Sequence, residues 1–192
     1  MFYYDAHASE YFTFSSSPMP STFYNRFLSL LPAPASILDI GCGSGRDLKY
    51  FSENGYEADG LDASEPLCQL AREHSGCPVH CEDMLTWQPN RQYDGLWACA
   101  SILHLSSDDI LAFFRRVPIM LKPGGIMYAS FKVGITTGED EKGRYFTDFS
   151  QELLEQILQA VPELKLIHDE MTGDSLNRSG FRWRNLYFQM SR

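Results

Sequence analysis

The sequence predicts an α/β fold in which helices cover both faces of a largely parallel sheet. Short apolar runs alternate along the chain with amphipathic segments of helical period, as where 37–40 is followed by 47–54. A glycine-rich turn, Gly41-Cys42-Gly43-Ser44-Gly45, joins this first pair. The chain has 192 residues, of which 44% are hydrophobic, and this is enough for the core of a single domain over 1–192.

The glycine turn after the first strand is typical of a nucleotide-binding βαβ unit. Glycine has no Cβ, so the backbone turns tightly and approaches a ligand closely, while the next helix offers unpaired N–H groups. A dinucleotide fingerprint, G-x-G-x-x-G, requires its third glycine where Arg46 stands. An acidic residue, Asp39, lies shortly before the first glycine. The spacing therefore favours a ligand other than a dinucleotide.

The segment 39–45 has the pattern D-x-G-x-G-x-G and resembles motif I of the class I S-adenosylmethionine (SAM) dependent methyltransferases. Three further marks follow in the order of that family: Asp62, the pair Asp83-Met84, and LKPGG before the fifth strand. The resemblance covers 36–133, and the layout is similar to small tellurite-resistance-like and metabolite methyltransferases. It implies a Rossmann-like sheet of seven strands, mostly parallel, in the order 3-2-1-4-5-7-6, with strand 7 antiparallel and helices on both faces.

The hydrophobic pattern assigns the remaining elements in order. After 37–40, the predicted strands are 56–61, 77–81, 93–98, 126–133, 164–171 and 181–190. The predicted helices are 21–31, 47–54, 65–74 and 107–121, with one more after Ser150. Ser21 and Ser150 are suitable N-cap residues for the helices that follow them. The predicted apolar stripe of 21–31 consists of Phe23, Phe27, Leu30 and Leu31, and 172–180 is a further rim element.

The resemblance implies a set of cofactor-binding residues at the carboxyl edge of the sheet. They are Asp39, Gly41, Cys42, Gly43, Gly45 and Arg46 around the turn, Asp62 and Ala63 after the second strand, Asp83 and Met84 after the third, and Ala100 after the fourth. Asp62 would accept hydrogen bonds from ribose hydroxyls, since a carboxylate serves two vicinal donors. The alternative for Asp62 is a helix cap, a role that suits Ser64 better. Asp83 and Met84 would meet the adenine, or else form a surface turn.

The N-terminal segment 1–31 is predicted to form a helical cap over the cofactor site, as in many small methyltransferases that this chain resembles. Tyr4 and Tyr11 are spaced to share one helical face. Tyr11 and Arg26 are then candidates to meet the carboxylate or the edge of the cofactor. The alternative is a packing aromatic residue and a solvated arginine.

The chemistry at the acceptor is predicted to come from two loops. In 99–105, after the fourth strand, His104 is the side chain that titrates near neutral pH. It is the candidate general base, or else a structural group that caps the loop, and Cys99 is expected to be a core thiol. The glycine-rich stretch 134–146 is predicted to be a mobile flap. Its Arg144 and Tyr145 would meet an anionic or aromatic acceptor, unless they only anchor an exposed loop.

Charge and cysteine usage narrow the function classes. A net charge of −9 and a pI of about 4.9 argue against nucleic acid and favour a small-molecule partner. No run approaches the roughly 20 apolar residues of a membrane span. The five cysteines, an odd number, and a segment 1–14 without an apolar core indicate a cytoplasmic protein with reduced thiols. We expect a monomer or a weak homodimer.

Two other patterns carry less weight. The stretch 74–81 holds two histidines and two cysteines, donor types that suit zinc. Strand alternation would point Cys77 and Cys81 to one face and His80 to the other, so we expect no metal. Tyr128 and Lys132 have the spacing of a dehydrogenase pair, but that pair needs a helix, and on a strand they lie roughly 13 Å apart.

The function implied by the resemblance is direct, in-line transfer of a methyl group from SAM to a small-molecule acceptor, which leaves S-adenosylhomocysteine (SAH). The donor is already activated, so the enzyme contributes alignment and desolvation, and no protein nucleophile is needed. Two alternatives stay open. One is a non-catalytic SAM-binding sensor of the same fold, and the other is an NAD-dependent oxidoreductase, whose fingerprint fails at Arg46.

Overall fold

The computed structural model describes residues 3–173 and 182–192, in which helices and strands alternate. The α-helices are α1 (Tyr3–Ala6), α2 (Ala8–Ser15), α3 (Thr22–Ser29), α4 (Arg46–Glu53), α5 (Glu65–Ser75), α6 (Ser107–Met120) and α7 (Gln151–Ala160). The strands are β1 (Ser36–Ile40), β2 (Glu57–Asp62), β3 (Val79–Cys81), β4 (Tyr93–Ala98), β5 (Leu121–Val133), β6 (Gly138–Glu139), β7 (Tyr145–Phe146), β8 (Leu164–Gly173) and β9 (Arg182–Met190). A 3-10 turn, Ile102–His104, follows β4.

The main sheet has seven strands in the order β3-β2-β1-β4-β5-β9-β8. Strands β1 to β5 pair in parallel, whereas β9 is antiparallel to both of its neighbours, β5 and β8. Strands β6 and β7 form a separate antiparallel ribbon. Without this ribbon the order is 3-2-1-4-5-7-6, so the predicted topology is confirmed. The order reverses between β1 and β4, which places a ligand crevice at their carboxyl ends.

The central strand β1 is buried along its whole length because helices cover both faces of the sheet. On one face, Leu38 and Ile40 belong to the core that α6 and α7 share with the sheet. On the other face, Ile37 belongs to the core formed with α3, α4 and α5. Each large apolar side chain buried in this way contributes about 1.5–3 kcal/mol to folding. The two layers therefore hold the carboxyl ends of β1 and β4 in fixed positions.

A buried carboxylate, Asp47, ties one core layer to the amino end of α4. It accepts hydrogen bonds from the Tyr24 hydroxyl at 2.7 Å and from Trp97 Nε1 at 2.8 Å. Arg46 also donates to it, at 2.6 and 3.0 Å. Burial alone would raise the pKa of Asp47, but the charge and hydrogen bonds of Arg46, with those of Trp97 and Tyr24, lower it below its ordinary value. This network fixes the start of the helix that follows the glycine turn.

The N-terminal segment differs in detail from its predicted form. It consists of two helices, α1 and α2, which meet at His7, and then α3. Ser21 provides no side-chain cap for α3. Tyr24 and Phe27 are fully buried, whereas Leu30, predicted to lie in the apolar stripe, is 42% exposed. The hydroxyl of Tyr24 has a partner in Asp47, so a tyrosine replaces the expected leucine in the core.

The predictions for the LKPGG segment and for the Ser150 helix cap have different outcomes. The LKPGG segment was predicted to precede the fifth strand, but it lies within β5, and the pairing register with β4 shifts between Tyr93 and Gly95. Ser150 caps α7 as predicted, because its side chain accepts from the backbone N–H of Leu153. Most of the predicted rim segment 172–180, from 174 onwards, and the start of the last strand at 181 lie outside the described residues.

Candidate functional site

The glycine turn has a backbone that only glycine adopts without strain. Gly41, Gly43 and Gly45 have φ values of 68°, 53° and 73°, in the left-handed region. A Cβ at Gly41 would lie 2.4 Å from the Cβ of Ser101, in the segment after β4. The turn is therefore pressed against the end of β4, at the point where the sheet reverses its strand order.

An aromatic ring from the N-terminal segment covers this turn. Tyr11 of α2 lies so near that a Cβ at Gly43 would be 3.1 Å from its Cε1. Tyr4 of α1 packs edge-on against Tyr11 of α2, with ring centroids 5.1 Å apart, so the two rings meet across two helices and not on one helical face as predicted. The rings of Phe12 and His74 meet at 5.3 Å, which holds α2 against α5. The segment thus packs over the carboxyl edge of the sheet.

Asp62 lies at the end of β2 and accepts hydrogen bonds from the backbone on both sides. Its Oδ2 accepts from the N–H of Gly43 at 2.9 Å, and its Oδ1 accepts from the N–H of Ser64 at 2.9 Å. Burial raises the pKa of Asp62, and the nearby charge of Asp5 raises it further. Ser64 makes no capping hydrogen bond with its side chain. The carboxylate therefore joins the turn to the start of α5.

Asp39 lies on β1 directly below the turn. It is 2% exposed, and burial followed by the charge of Asp47 raises its pKa well above the ordinary value. Arg46 partly offsets this effect. One oxygen of Asp39, Oδ2, has no hydrogen-bond partner. A buried carboxylate in this state favours the approach of a cation or of a hydrogen-bond donor.

Unpaired buried polar atoms gather around the turn. Among the described residues, five buried side-chain atoms lack a hydrogen-bond partner, and the fifth, on Arg116, lies elsewhere on α6. The other four are Asp5 Oδ1, Asp39 Oδ2, Ser64 Oγ and Ser101 Oγ. Asp39 and Ser101 flank Gly41, while Ser64 and Asp5 flank Asp62. Folded proteins keep few such atoms, and a group of them at one place indicates a site for a polar ligand.

Two adjoining cavities open beside the turn. The smaller one, of about 30 Å³, is lined by Asp39, Gly41, Cys42, Ser44 and Asp47. The larger one, of about 900 Å³, extends to the end of β5, the β6–β7 ribbon and β8–β9. Both are lined by Tyr11, Ser15, Arg46 and Cys99. Cys99, predicted to be a core thiol, thus lies at the junction of the cavities, and burial raises its pKa to about 12.

His104 lines the larger cavity and is held at both ring nitrogens. Its Nδ1 lies 2.7 Å from the backbone oxygen of Tyr145, and its Nε2 lies 2.8 Å from the hydroxyl of Tyr4. Burial lowers the pKa of His104 to about 4, and Arg144 and Lys132 act in the same direction. The imidazole is therefore neutral at pH 7.

The ribbon β6–β7 brings two side chains to the same cavity. Arg144 lines it while donating to Asp140 Oδ2 at 2.6 and 2.9 Å. Phe146 also lines this cavity, and the centroids of the Phe146 and His104 rings are 4.6 Å apart. The side chain of Tyr145, predicted to meet the acceptor, is not among the lining residues, and Tyr145 contributes its carbonyl to His104 instead.

Ala100 adopts a strained conformation at the rim. Among the described residues it is the one non-glycine residue with a left-handed φ, 54°. This costs about 1–2 kcal/mol, and such strain is concentrated at functional sites. Its N–H donates to Ser130 Oγ at 2.8 Å, which holds the strained peptide beside the cavity.

The remaining predicted residues are less central. Arg26 lines the larger cavity, with its Nε 3.9 Å from Glu170. Ala63 is exposed next to Asp62. Asp83 is exposed after β3 and accepts from the N–H of Leu85 at 2.8 Å, while Met84 packs against the core, and neither lines a cavity.

Among the site residues that were not predicted from the sequence are Tyr4 as a cavity residue, Asp5 and Ser101. The folded helices α1 and α2 bring Tyr4 and Asp5 to β2 and β4, far away in sequence, and no local motif marks them. Ser101 lies three residues after the end of β4, and a position so close to a strand's carboxyl end is a signal that sequence reasoning could have used.

Other site types have no structural basis in the part of the chain that the structure describes. Within 3–173 and 182–192, no three histidine, cysteine, aspartate or glutamate side chains form a group that could hold a metal ion. The same residues include no helix with the length and hydropathy needed to cross a bilayer. All five cysteines are free thiols.

Comparison with known proteins finds a family match for part of the chain. A family model described as a methyltransferase domain matches residues 37–125. The ubiquinone biosynthesis O-methyltransferase of Rhodopseudomonas palustris (strain BisB5) is 29% identical over 168 residues, which cover 77% of this chain and 64% of that protein. The trans-aconitate 2-methyltransferase of Acidovorax sp. (strain JS42) is 32% identical over 99 residues, which cover 50% of this chain and 38% of that protein. The chain spans less than two thirds of the length of both curated relatives.

A solved structure gives the same fold over almost the whole chain. The structure of the Burkholderia thailandensis 1,6-didemethyltoxoflavin-N1-methyltransferase contains bound 1,6-didemethyltoxoflavin and SAH. It superposes on this chain with a TM-score of 0.74. The match covers 97% of this chain and 84% of that one at 18% identity, so it bears on the fold alone. The segment matched by the family model contains the glycine turn, Asp62 and the LKPGG segment. Residues 37–125 therefore match a methyltransferase domain, and the glycine turn within them resembles that of the class I SAM-dependent methyltransferases.

Proposed function

We propose that this chain is an enzyme that binds SAM and transfers its methyl group to a small-molecule acceptor. The observation that carries the proposal is the group of four unpaired polar atoms around the glycine turn. An unpaired buried polar group costs about 1–3 kcal/mol, so a site that keeps four of them is organised for a polar ligand. SAM, with an ammonium group, a ribose diol and an adenine, supplies the donors that these atoms lack.

The charges around the turn match the two ends of the amino-acid part of SAM. Asp39, with its unpaired oxygen, is suited to the α-ammonium group, and Arg46, which lines both cavities, is suited to the α-carboxylate. Asp62 keeps acceptor sites for the ribose hydroxyls beyond the two backbone N–H groups it already binds. Asp83 and Met84 follow the next strand, on the side where the adenine would lie.

The segment 1–31 acts as a cap in this proposal. Tyr11 covers Gly43, and α1 and α2 both contact α5. A cap of this kind excludes water from the reacting atoms, which strengthens the electrostatic interactions inside. The ribbon within 134–146 closes the opposite side of the larger cavity and acts as the flap.

Methyl transfer itself requires positioning more than chemistry from the protein. When bound, SAM supplies an electrophilic methyl group on a positively charged sulfur. The residues of the chain then align the acceptor in the larger cavity and keep water away. His104 is neutral and supplies the basic site for an acceptor that has to lose a proton.

The lining of the larger cavity favours an acceptor with an aromatic ring and an acidic group. Among the described residues, its charged lining consists of Arg26, Arg46, Lys132, Arg144 and one acid, Glu170, in a chain of net charge −9. The Lys132 Nζ lies 4.3 Å from the centre of the Phe146 ring, and the Arg144 guanidinium lies 5.2 Å from it. Such a mixture of rings and cations binds planar anions. The two curated relatives, named for methylation in ubiquinone biosynthesis and of trans-aconitate, are consistent with a small-molecule acceptor.

The test combines binding with turnover. Calorimetric titration with SAM and with NAD should give binding of SAM alone. Incubation with SAM and a screen of phenolic and carboxylic acids, read by mass spectrometry, should give SAH and a product heavier by one methylene group. Binding without SAH formation would indicate a sensor, and binding of NAD in place of SAM would contradict the proposal.

A further inference from the structure

A tyrosine from the N-terminal segment contacts the candidate base. Tyr4 of α1 and His104 both line the larger cavity, and the Tyr4 hydroxyl lies 2.8 Å from His104 Nε2. The two residues are 100 positions apart in sequence. Their rings meet at 69° with centroids 5.6 Å apart. The base is therefore approached through the hydroxyl of Tyr4.

The direction of these hydrogen bonds follows from the partner on the other nitrogen. His104 Nδ1 lies 2.7 Å from the carbonyl oxygen of Tyr145, which only accepts, so Nδ1 carries the proton. The lone pair of the neutral ring is then on Nε2, and the Tyr4 hydroxyl donates to it. Arg144 also lies close to the phenol oxygen and lowers the pKa of Tyr4, against the larger effect of burial. The oxygen's second lone pair is available to a group in the cavity.

We propose that Tyr4 is a catalytic residue that relays a proton from the acceptor to His104, and that the acceptor reacts through an atom bearing a proton, such as a hydroxyl oxygen. This inference rests on the proposed function. The acceptor oxygen forms a bond to the methyl carbon while the carbon–sulfur bond breaks. The electron pair of the broken bond stays on sulfur. The acceptor proton moves to Tyr4 Oη, and the hydroxyl proton of Tyr4 moves to His104 Nε2. The imidazolium then returns its proton to water after the products leave.

The surroundings of both residues suit a relay. Burial raises the pKa of Tyr4 to about 12, with Asp62 and Tyr3 adding to the effect and Arg144 opposing it, so the phenol stays protonated. Burial lowers the pKa of His104 to about 4, and the charges of Arg144 and Lys132 act in the same direction, while the hydrogen bond to Tyr145 and the charge of Asp140 oppose them. His104 is thus unprotonated at neutral pH. An oxygen that is being methylated becomes strongly acidic, so a base of low pKa is sufficient to take its proton.

The inference gives the N-terminal segment a second role. Because α1 supplies the hydroxyl, the relay exists only when this segment is packed over the sheet.

Tyr3, the preceding residue on α1, offers a matched control, since its ring stacks on His7 at 4.3 Å and does not line either cavity.

The experiment compares Tyr4→Phe with Tyr3→Phe. The probe acceptors are catechol, whose hydroxyl is protonated at pH 7.5, and benzenethiol, which is largely ionised there. For Tyr4→Phe we expect kcat with catechol to fall about 100-fold, the range of a lost acid–base group, with SAM affinity within about 2-fold. Benzenethiol turnover and every parameter of Tyr3→Phe should stay near wild type. Equal losses for both acceptors, or no loss for catechol, would overturn the inference.

A second measurement needs no acceptor. Nitrogen-15 NMR of the wild-type protein should show His104 protonated at Nδ1 and unprotonated at Nε2. The Nε2 resonance should shift in the Tyr4→Phe variant. A ring protonated at Nε2 would overturn the relay. If the wild type forms no SAH with any acceptor, the proposed function fails and the inference fails with it. SAH formation that Tyr4→Phe leaves unchanged contradicts the inference alone.

Discussion

Replacement of Asp39 by asparagine separates a binding role from a structural one. The side chains have the same shape, and Oδ2 of Asp39 has no partner to lose in the protein. The substitution removes the charge of a residue that is 2% exposed and whose pKa is raised by burial and by a second carboxylate, Asp47. A residue kept for stability would not be arranged in this way.

Asp39→Asn should weaken SAM binding without weakening the fold. A hydrogen bond to a charged group is worth about 1.5–3 kcal/mol, so loss of the Asp39 carboxylate should weaken SAM binding about 10- to 150-fold. The protein without SAM should be as stable or more stable, by about 1 kcal/mol at pH 7, since each unit of raised pKa is a cost of about 1.4 kcal/mol. The pKa is raised in the folded state, so the cost appears only as pH rises above the ordinary carboxyl range. The stability difference between variant and wild type should therefore vanish near pH 3.

The assays are calorimetric titration with SAM and urea unfolding without it. Asp59→Asn is the matched control, because this buried carboxylate on β2 accepts from Arg91 at 2.6 Å and from the Tyr93 hydroxyl at 2.7 Å. It should lose about 1–3 kcal/mol of unfolding free energy and keep its affinity for SAM. If Asp39→Asn behaves like the control, the carboxylate is structural and the reasoning fails.

Four more results are expected. Asp62→Ala should weaken SAM binding by roughly 1–3 kcal/mol in calorimetry, and unchanged affinity would exclude a ribose role. Gly43→Ala, which combines a φ of 53° with a Cβ 3.1 Å from the Tyr11 ring, should lower SAM affinity at least about 10-fold, whereas retained affinity would mean that Tyr11 moves freely. His104→Ala should lower turnover more than SAM affinity, and the wild-type rate should show no step near pH 6.5 because the pKa of His104 is about 4. Arg144→Gln should raise KM for acidic acceptors about 10-fold and leave neutral ones unchanged, and equal effects on both would argue against charge recognition.

The strands of the sheet were predictable because they depend on local pattern, and their order because of the family resemblance. Apolar runs that alternate with helical segments identify parallel strands, and the family resemblance supplies their order and the antiparallel insertion of the strand now called β9. The glycine turn was predictable for a similar reason, since its backbone requires residues without a Cβ, and the sequence shows them directly. Features that depend on residues close together in the sequence, such as the strands and the glycine turn, could therefore be predicted.

The contacts between distant segments were not predictable. Tyr145 was expected to face the acceptor, but in the short strand β7 successive side chains alternate, and Phe146 lines the cavity instead. Leu30 was placed in the apolar stripe of α3, whereas Tyr24 takes the core position because its hydroxyl finds Asp47. The contact of Tyr4 with His104 depends on how α1 packs, which no local pattern encodes.

The most direct test of the account is a crystal structure of the protein grown with SAH. We expect the amino-acid part of SAH to lie beside Asp39 Oδ2, its ribose hydroxyls to bind Asp62, and its sulfur to face the cavity that Tyr4 and His104 line. A glycine turn without ligand at saturating SAH, or SAH bound at another place on the protein, would contradict the account.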